Sequence, residues 1–133
     1  MMIKNIARIS VLVLVVFNAC KPAITPEVLY GKWNYTRLEK PNAHPASVEP
    51  DWKLKLEKPY VLFLKNNEMQ MWWSGELFAH GKFSVKDNDI WFNQVFDGGQ
   101  TREFPFHIVE LKDGTMVFET SGEDGSKVTV VKQ

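Results

Sequence analysis

The sequence predicts an all-β domain: a small antiparallel up-and-down β-barrel of about eight strands, preceded by a short N-terminal helical turn. Two observations predict it. Short runs of apolar residues are separated by turn-forming residues at intervals of roughly 8–12 residues. After residue 31, no stretch of the chain keeps the 3.6-residue period of an amphipathic helix over about ten positions.

The helical turn is predicted at residues 25–31. Thr25 is a residue type that caps helices, and Pro26 suits the first helical position. Gly31 ends the turn, because glycine readily adopts the backbone conformation that stops a helix. The segment is long enough for a single turn.

The predicted strands follow in chain order. Trp33 and Tyr35 alternate with polar residues and predict the first strand. Trp52, Leu54 and Leu56 alternate with charged residues and predict the second. The later strands are predicted at 60–65, 69–73, 83–85, 90–92, 104–111, around Val117 and around Val130.

The segments between and within these strands also carry signals. The apolar phase of 104–108 shifts by one residue at Val109, which predicts a β-bulge. Residues 39–51 contain three prolines and little apolar content, and we expect a long loop across one end of the barrel. Turns are predicted at 66–68, 86–89, 97–99, 112–114 and 122–125.

The first nineteen residues have the three parts of a secretion signal. Lys4 and Arg8 are basic, residues 9–17 are mostly apolar, and small Ala19 precedes Cys20. The apolar part is too short to span a bilayer as a helix. Cys20 is the chain's only cysteine, so it has no disulfide partner within the chain. An uncleaved anchor, or an ordinary signal with an incidental cysteine, is the alternative.

Residues 17–20, Phe-Asn-Ala-Cys, resemble the bacterial lipobox in the loosened form of Bacteroidetes lipoproteins. The resemblance implies a signal peptide at 1–19, an acylated Cys20 and a lipidated tether at 20–26, followed by the barrel domain at 27–133. It also implies an outer-membrane location, because no aspartate follows the cysteine. Periplasmic and cell-surface faces both remain open.

Charge excludes one class of partner. The chain has 16 basic and 16 acidic residues, and loss of Lys4 and Arg8 with the signal leaves 14 basic against 16 acidic. Nucleic acids and anionic membrane surfaces attract proteins with a basic field. We therefore expect no nucleic-acid partner, and contact with the membrane through the lipid anchor.

The motif Gly31-Lys32-Trp33, after a helical turn and at the start of the first strand, is similar to the Gly-x-Trp motif of lipocalins. The rhythm of 60–65, 81–85 and 88–92 resembles the short lipocalin-like domains of Bacteroidetes lipoproteins. Two features depart from the family: the chain is shorter, and no arginine near the C-terminus could stack on Trp33. The resemblance implies a binding module for a small apolar ligand or a protein partner.

The residues predict no enzyme, metal site or cofactor. His44, His80 and His107 are the only histidines, and no nucleophile elbow accompanies them. The acidic residues at 87–89 and 123–124 fit hairpin turns rather than the spacing of a calcium loop.

Aromatic residues supply the candidate binding surface. Trp72 and Trp73 must face opposite sides of one strand, so an inward Trp73 leaves Trp72 outside. We expect Trp72, Phe78 and Trp91 to form an exposed apolar patch that binds a partner, with cover by 39–51 as the alternative. Large inward side chains should fill an eight-stranded barrel, so function is expected at the rim and loops.

Inhibition of secreted proteases is the alternative function. The chain is similar in length, lipobox and all-β character to the potempins, which are small-barrel lipoprotein inhibitors. An inhibitory loop must lie extended in a protease cleft, and glycine allows close approach of the backbone. The candidate loop consists of Phe96, Asp97, Gly98, Gly99 and Gln100.

Overall fold

A computed structural model describes residues 23–133. Its elements, in chain order, are α1 (Pro26–Leu29), β1 (Gly31–Lys40), β2 (Ser47–Val48), α2 (Asp51–Glu57), β3 (Tyr60–Phe63), β4 (Glu68–Trp73), β5 (Glu76–Lys86), β6 (Asp89–Val95), β7 (Thr101–Lys112), β8 (Thr115–Glu119) and β9 (Lys127–Lys132). Neither helix in this range is long and apolar enough to cross a membrane.

The strands form one antiparallel sheet that closes on itself. Its order is β2-β1-β3-β4-β5-β6-β7-β8-β9, and β9 pairs back with β1. Trp33 lies opposite Lys132 and Leu38 opposite Val128 in that closing ladder. The two-residue β2 only extends the end of β1. Eight strands therefore make the barrel wall, and the predicted up-and-down β-barrel is confirmed.

The two ends of the barrel differ. One end holds α1 and the turns after β3, β5 and β7, and it is termed the lower end. Leu29 of α1 is fully buried, so this helix closes the lower end. The other end holds the segment 41–59 and the turns after β4, β6 and β8. It is termed the open end, because Tyr35 and Trp73 are only half-buried there and Phe78 is exposed.

The core fills the barrel along most of its length. Trp33, Phe63 and Phe92 are at most 2% exposed, and every residue of the buried cluster lies between Leu29 and Val130. Among residues 23–133, Ile24 is the first that packs on this cluster. A fragment of residues 23–133 therefore contains the whole of this cluster.

Trp33 connects the barrel to its lower closure. The indole N–H donates a hydrogen bond to the carbonyl of Leu29 at 2.7 Å. The ammonium group of Lys132 lies 5.5 Å from the centre of the Trp33 ring. A lysine thus occupies the place over the tryptophan for which the sequence offers no arginine, and it makes the same kind of cation–π contact.

The predicted second strand at 52–57 is wrong, since this segment is the helix α2. Pro50 precedes the helix, Asp51 stands favourably in its first turn, and Lys58 ends it in the left-handed conformation. Apolar residues at every second position do not exclude a helix, because a short helix can bury only one of them and expose the others. Leu54 is that residue, whereas Leu56, which a strand of this phase would also turn inward, is 72% exposed.

The predicted loop at 39–51 is wrong in extent. β1 continues to Lys40, and β2 turns back on it, pairing Val48 with Glu39. The backbone N–H of Glu49 also donates to the carbonyl of Leu38 at 2.9 Å. Only residues 41–46 lie outside the strands as a turn. Pro41 and Pro45 fall within it, where a residue without a backbone N–H removes no hydrogen bond from the sheet.

The bulge predicted from the shifted apolar phase is confirmed. The register of β7 and β8 shifts between Ile108 and Glu110, and Val109 is 46% exposed. A second bulge, which the sequence analysis did not identify, shifts the register of β4 and β5 between Met71 and Trp72. It turns Phe78 away from the outer face of β5.

Gly81 allows the backbones of β5 and β6 to approach closely. A Cβ atom at this position would lie 1.9 Å from the carbonyl oxygen of Asn93. We expect Gly81→Ala to lower the free energy of unfolding by about 1–3 kcal/mol, because the strands must separate to relieve the clash. Urea unfolding measures this loss. Ser84→Ala, on the exposed face of the same strand, is the control, and equal stability of the two variants would contradict the expectation.

Candidate functional site

Exposed apolar side chains concentrate at the open end of the barrel. In the described part of the chain, three large apolar side chains are exposed elsewhere: Val28, Val109 and Val131. Six are exposed at the open end: Val48, Trp52, Leu56, Leu77, Phe78 and Phe96. These six are termed the apolar collar. This concentration of exposed apolar side chains makes the open end the candidate surface.

Helix α2 presents two members of the collar side by side. Trp52 and Leu56 are four residues apart, so they share one face of the helix, and they are 66% and 72% exposed. Leu54 points the other way and is buried. An ion pair at 3.2 Å between Lys53 and Glu49 supports the start of the helix.

Glu57 fixes the other end of α2 to the barrel wall. Its carboxylate accepts a hydrogen bond from the indole N–H of Trp73 at 2.5 Å. Its backbone carbonyl accepts one from the N–H of Ser74 at 2.8 Å. The collar residues of the helix are therefore held in a defined position relative to the end of β4.

Trp73 lies at the open end between Tyr35 and Phe78, and these three aromatic residues are termed the mouth of the barrel. Its ring meets Tyr35 edge-on at 5.7 Å and Phe78 at 6.4 Å between centroids. Burial raises the pKa of the Tyr35 phenol, because the charged form would lose its hydration. A tyrosine hydroxyl is already protonated at physiological pH, and the raised pKa extends this to more alkaline pH, so the mouth carries no charge at Tyr35.

The interior below the mouth is occupied by aromatic rings. Phe92 contacts Phe104 and Phe106 at centroid distances of 6.1 and 6.0 Å, and Phe106 contacts Phe118 at 5.6 Å. Phe92 and Phe118 are at most 3% exposed. A ligand at this end would therefore meet the rim and the mouth rather than a deep cavity.

Comparison with known proteins identifies this architecture. No family model and no curated protein matches the sequence. A lipocalin-like protein from Bacteroides uniformis matches the structure with a TM-score of 0.55 and 17% sequence identity, over 79% of this chain and 98% of that one. A protein from Bacteroides eggerthii matches with a TM-score of 0.54 and 20% identity, over 79% and 99%. The fold is lipocalin-like.

The lipocalin-like barrel separates the predicted aromatic patch into different surfaces. Trp72 lies on the outer wall, where it stacks on Tyr60 at 5.9 Å and donates its indole N–H to Gln70 at 3.0 Å. Phe78 is displaced by the bulge in β5 and contacts Trp73 at the mouth. These two predicted residues therefore lie near the same end but on different faces of the wall.

Trp91 lies far from Trp72. It stands opposite Ser84 of β5, whereas Trp72 stands opposite Leu77. Ser84 and Leu77 are seven positions apart on one strand, which corresponds to roughly 23 Å. The prediction of one patch is therefore wrong, because side-chain alternation gives the face of a residue but not its height along the wall.

The candidate inhibitory loop is a closed turn in the lipocalin-like barrel. The N–H of Phe96 donates to the carbonyl of Gln100 at 2.7 Å, and the N–H of Gly99 donates to the carbonyl of Phe96 at 3.1 Å. Gly98 and Gly99 have φ values of 87° and 82°, so the turn itself requires glycine there. Asp97 is exposed within the turn, and Phe96 is 41% exposed and belongs to the collar.

Two further predictions concern chemistry. Cys20, the predicted acylation site, lies outside the described residues. His107 lies 2.8 Å from the carboxylate of Asp89, its cross-strand neighbour, and both side chains are partly exposed on the outer wall. Within residues 23–133, no three His, Cys, Asp or Glu side chains are grouped so that they could hold a metal ion.

Sequence reasoning missed four of the six collar residues. Val48 and Leu77 were not predicted as contact residues, and Trp52 and Leu56 were predicted in a strand. The pair Leu77-Phe78 was the available signal, because two adjacent large apolar residues cannot both face the core of one strand.

Proposed function

We propose that this chain is a lipid-anchored, non-catalytic binding protein that contacts its ligand through the open end of the barrel. The apolar collar is the observation that carries the proposal. Exposed apolar area of this kind costs solubility unless a ligand or partner covers it. Tryptophan and phenylalanine are among the residues that contribute most to contacts between proteins.

The predicted anchor gives this end an orientation. Ala23, Ile24 and Val28 adjoin Asn88 and residues 108–112 at the lower end of the barrel. Cys20 precedes Ala23 by three residues, which span at most roughly 10 Å. An acylated Cys20 would hold the lower end near the outer membrane and leave the open end accessible from the periplasm or the cell exterior.

Two kinds of ligand suit such an end. A small apolar molecule would rest in the mouth against Trp73 and Phe78, because Phe92 and its neighbours fill the space below. A protein partner would cover Trp52 and Leu56 as well. The wide spacing of the collar around the rim favours the protein partner.

Inhibition of a secreted protease is a second form of the same proposal. The exposed Phe96 on the loop after β6 is the observation in its favour. The hydrogen bonds within that loop oppose it, since a segment bound in a protease cleft lies extended. Titration of residues 23–133 against secreted proteases of the same organism distinguishes the two, and stoichiometric inhibition would establish the second form.

Binding of a neutral apolar probe tests the open end. We expect Phe78→Ser combined with Phe96→Ser to weaken binding of N-phenyl-1-naphthylamine to residues 23–133 about tenfold, because each ring supplies apolar contact area. Fluorescence titration measures the Kd. The matched control is Val28→Ser combined with Val109→Ser, which removes two exposed apolar side chains from the lower end.

The comparison has a clear contrary outcome. If the control pair weakens the probe as much as the open-end pair, the apolar surface that binds is not the collar. Unchanged binding in the open-end pair would have the same meaning. Thermal unfolding of both pairs establishes that each variant is folded.

A further inference from the structure

A second depression lies outside the barrel, between α2 and the outer face of β1. Its volume is about 880 Å³, within the range of roughly 300–1,000 Å³ that is usual for ligand sites. Lys32, Asn34, Tyr35 and Thr36 of β1 form its floor, and the apolar residues Leu54 and Pro59 also line it. Helix α2 forms one wall, and Tyr60 at the start of β3 forms the other. This depression is termed the lateral groove.

The groove exists because β3 covers only the first part of β1. The pairing of these strands ends at Asn34 and Tyr60, and the N–H of Tyr35 then donates to the carbonyl of Pro59 at 3.1 Å. Residues 51–57 leave the sheet and stand off the wall as α2. Trp52, Leu56 and the other collar residues do not line the groove, so the groove and the collar share no side chain.

The charges in the groove are mostly positive. Lys32, Lys55 and Lys58 line it together with a single acidic side chain, Asp51, and with Gln133, whose backbone N–H donates to the carbonyl of Lys32 at 2.9 Å. The ion pairs within residues 23–133 involve other side chains, so none of these three lysines has a carboxylate within 4.0 Å. The chain beyond the predicted cleavage site has more acidic than basic residues, so this excess of lysine is local.

Lys32 is held in place before any ligand arrives. Its ammonium group lies 4.2 Å from the centre of the Tyr60 ring. Tyr60 in turn stacks on Trp72 with an angle of 12° between the ring planes. A cation fixed over an aromatic ring loses little conformational freedom when it binds an anion.

The surroundings of the lysines define the ligand class. A hydrocarbon chain would leave the Asn34 amide on the floor without water or a hydrogen-bond partner, whereas the Thr36 hydroxyl already donates to the carbonyl of Thr129 at 3.3 Å. A peptide that adds a strand to a sheet binds along a strand edge, whereas the floor of the groove is the outer face of β1. Sugars offer hydroxyl groups to the floor, and acidic sugars offer anions to the lysines.

We propose that the lateral groove binds an anionic oligosaccharide, with its carboxylate or sulfate groups between Lys32 and the α2 lysines, Lys55 and Lys58, and its hydroxyl groups on Asn34. This site is independent of the proposed function at the open end. The collar is apolar and uncharged, so a neutral apolar probe reports on the collar and an acidic sugar reports on the groove.

Calorimetric titration of residues 23–133 with four probes tests the ligand class. The probes are a galacturonate tetrasaccharide, a sulfated tetrasaccharide, neutral maltotetraose and tetraglutamate. We expect at least one acidic sugar to bind at least about tenfold more tightly than the neutral sugar and than the peptide. The two acidic sugars distinguish carboxylate from sulfate as the preferred anion. Failure of both to bind, or equal binding of the neutral sugar or of tetraglutamate, would overturn the proposal.

Variants locate the binding. Lys32→Gln, Lys55→Gln and Lys58→Asn together should weaken the acidic sugar about tenfold, and Asp51→Asn should strengthen it about threefold. Asparagine is used at 58 because this residue has a φ of 47°. Lys65→Gln, Lys86→Gln and Lys112→Gln remove the same charge from exposed positions outside the groove and should have little effect.

The contrary outcomes are equally specific. Equal loss in the two triple variants would mean that overall charge, not the groove, attracts the sugar. If the groove triple variant unfolds, Lys55→Gln alone decides, because this exposed side chain takes no part in the packing of the barrel. Unchanged binding in that single variant would then overturn the proposal.

Discussion

Replacing Trp33 by alanine should lower the free energy of unfolding by roughly 3–5 kcal/mol. The side chain is 1% exposed, and its removal leaves a cavity between α1 and the barrel. It also leaves the carbonyl of Leu29 without its hydrogen bond and the ammonium group of Lys132 without its aromatic partner. Urea unfolding followed by circular dichroism measures the change. A loss this large is a substantial fraction of the stability of a small domain.

Trp52→Ala is the matched control for this measurement. The same side chain is removed, but Trp52 is 66% exposed on α2. Its loss should change the free energy of unfolding by no more than about 0.5 kcal/mol. If the two variants unfold at the same urea concentration, the closure of the lower end by α1 and Trp33 does not support the fold.

The contrast between these two tryptophans shows what the sequence reveals about the fold. Trp33 follows a helix-ending glycine and alternates with polar residues, so its inward direction is predicted by the period of a strand. The bulge at Val109 was predictable for the same reason, because an inserted residue visibly shifts the apolar phase. The side of a strand on which a residue lies follows from its neighbours along the chain, so the pattern of apolar residues predicts it.

The segment 51–57 was not predictable in this way. Its apolar residues occur at every second position, which fits a strand buried on one face. In the structure only Leu54 is buried, because β3 begins too late to pair with the whole of β1 and the chain crosses the gap as a helix. The choice between strand and helix here depends on how much of β1 the neighbouring strands pair with. This is decided by the tertiary structure and not by residues 51–57 alone.

The candidate sites depend on tertiary properties still more strongly. The sequence predicted that Phe78 and Phe96 are accessible, and both belong to the collar. It could not predict that Trp91 lies roughly 23 Å along the wall from Trp72, since register determines height. The lateral groove combines Lys32 with Lys55 and Lys58 across a helix that the sequence analysis did not predict.

The anchor and the two surfaces together define how the molecule would work at a membrane. Ala23 lies at the lower end, so the proposed tether would leave from there, while the collar lies at the opposite end. The lateral groove runs along the side, over the outward residues of β1. The groove and the collar share no side chain, so a ligand in the groove and a partner on the collar would have separate contacts.

Replacing Cys20 by serine should abolish stable membrane association almost completely. Each buried methylene group contributes about 0.8 kcal/mol, so two or three acyl chains hold a protein on a bilayer essentially permanently, and serine accepts no thioether-linked lipid. Labelling with a fatty-acid analogue, followed by separation of membrane and soluble fractions, measures both acylation and location. Lys21→Ser is the control, because it changes the neighbouring residue and leaves the thiol in place. A Cys20→Ser protein that still carries the label and stays with the membrane would show that the chain is not anchored through this residue.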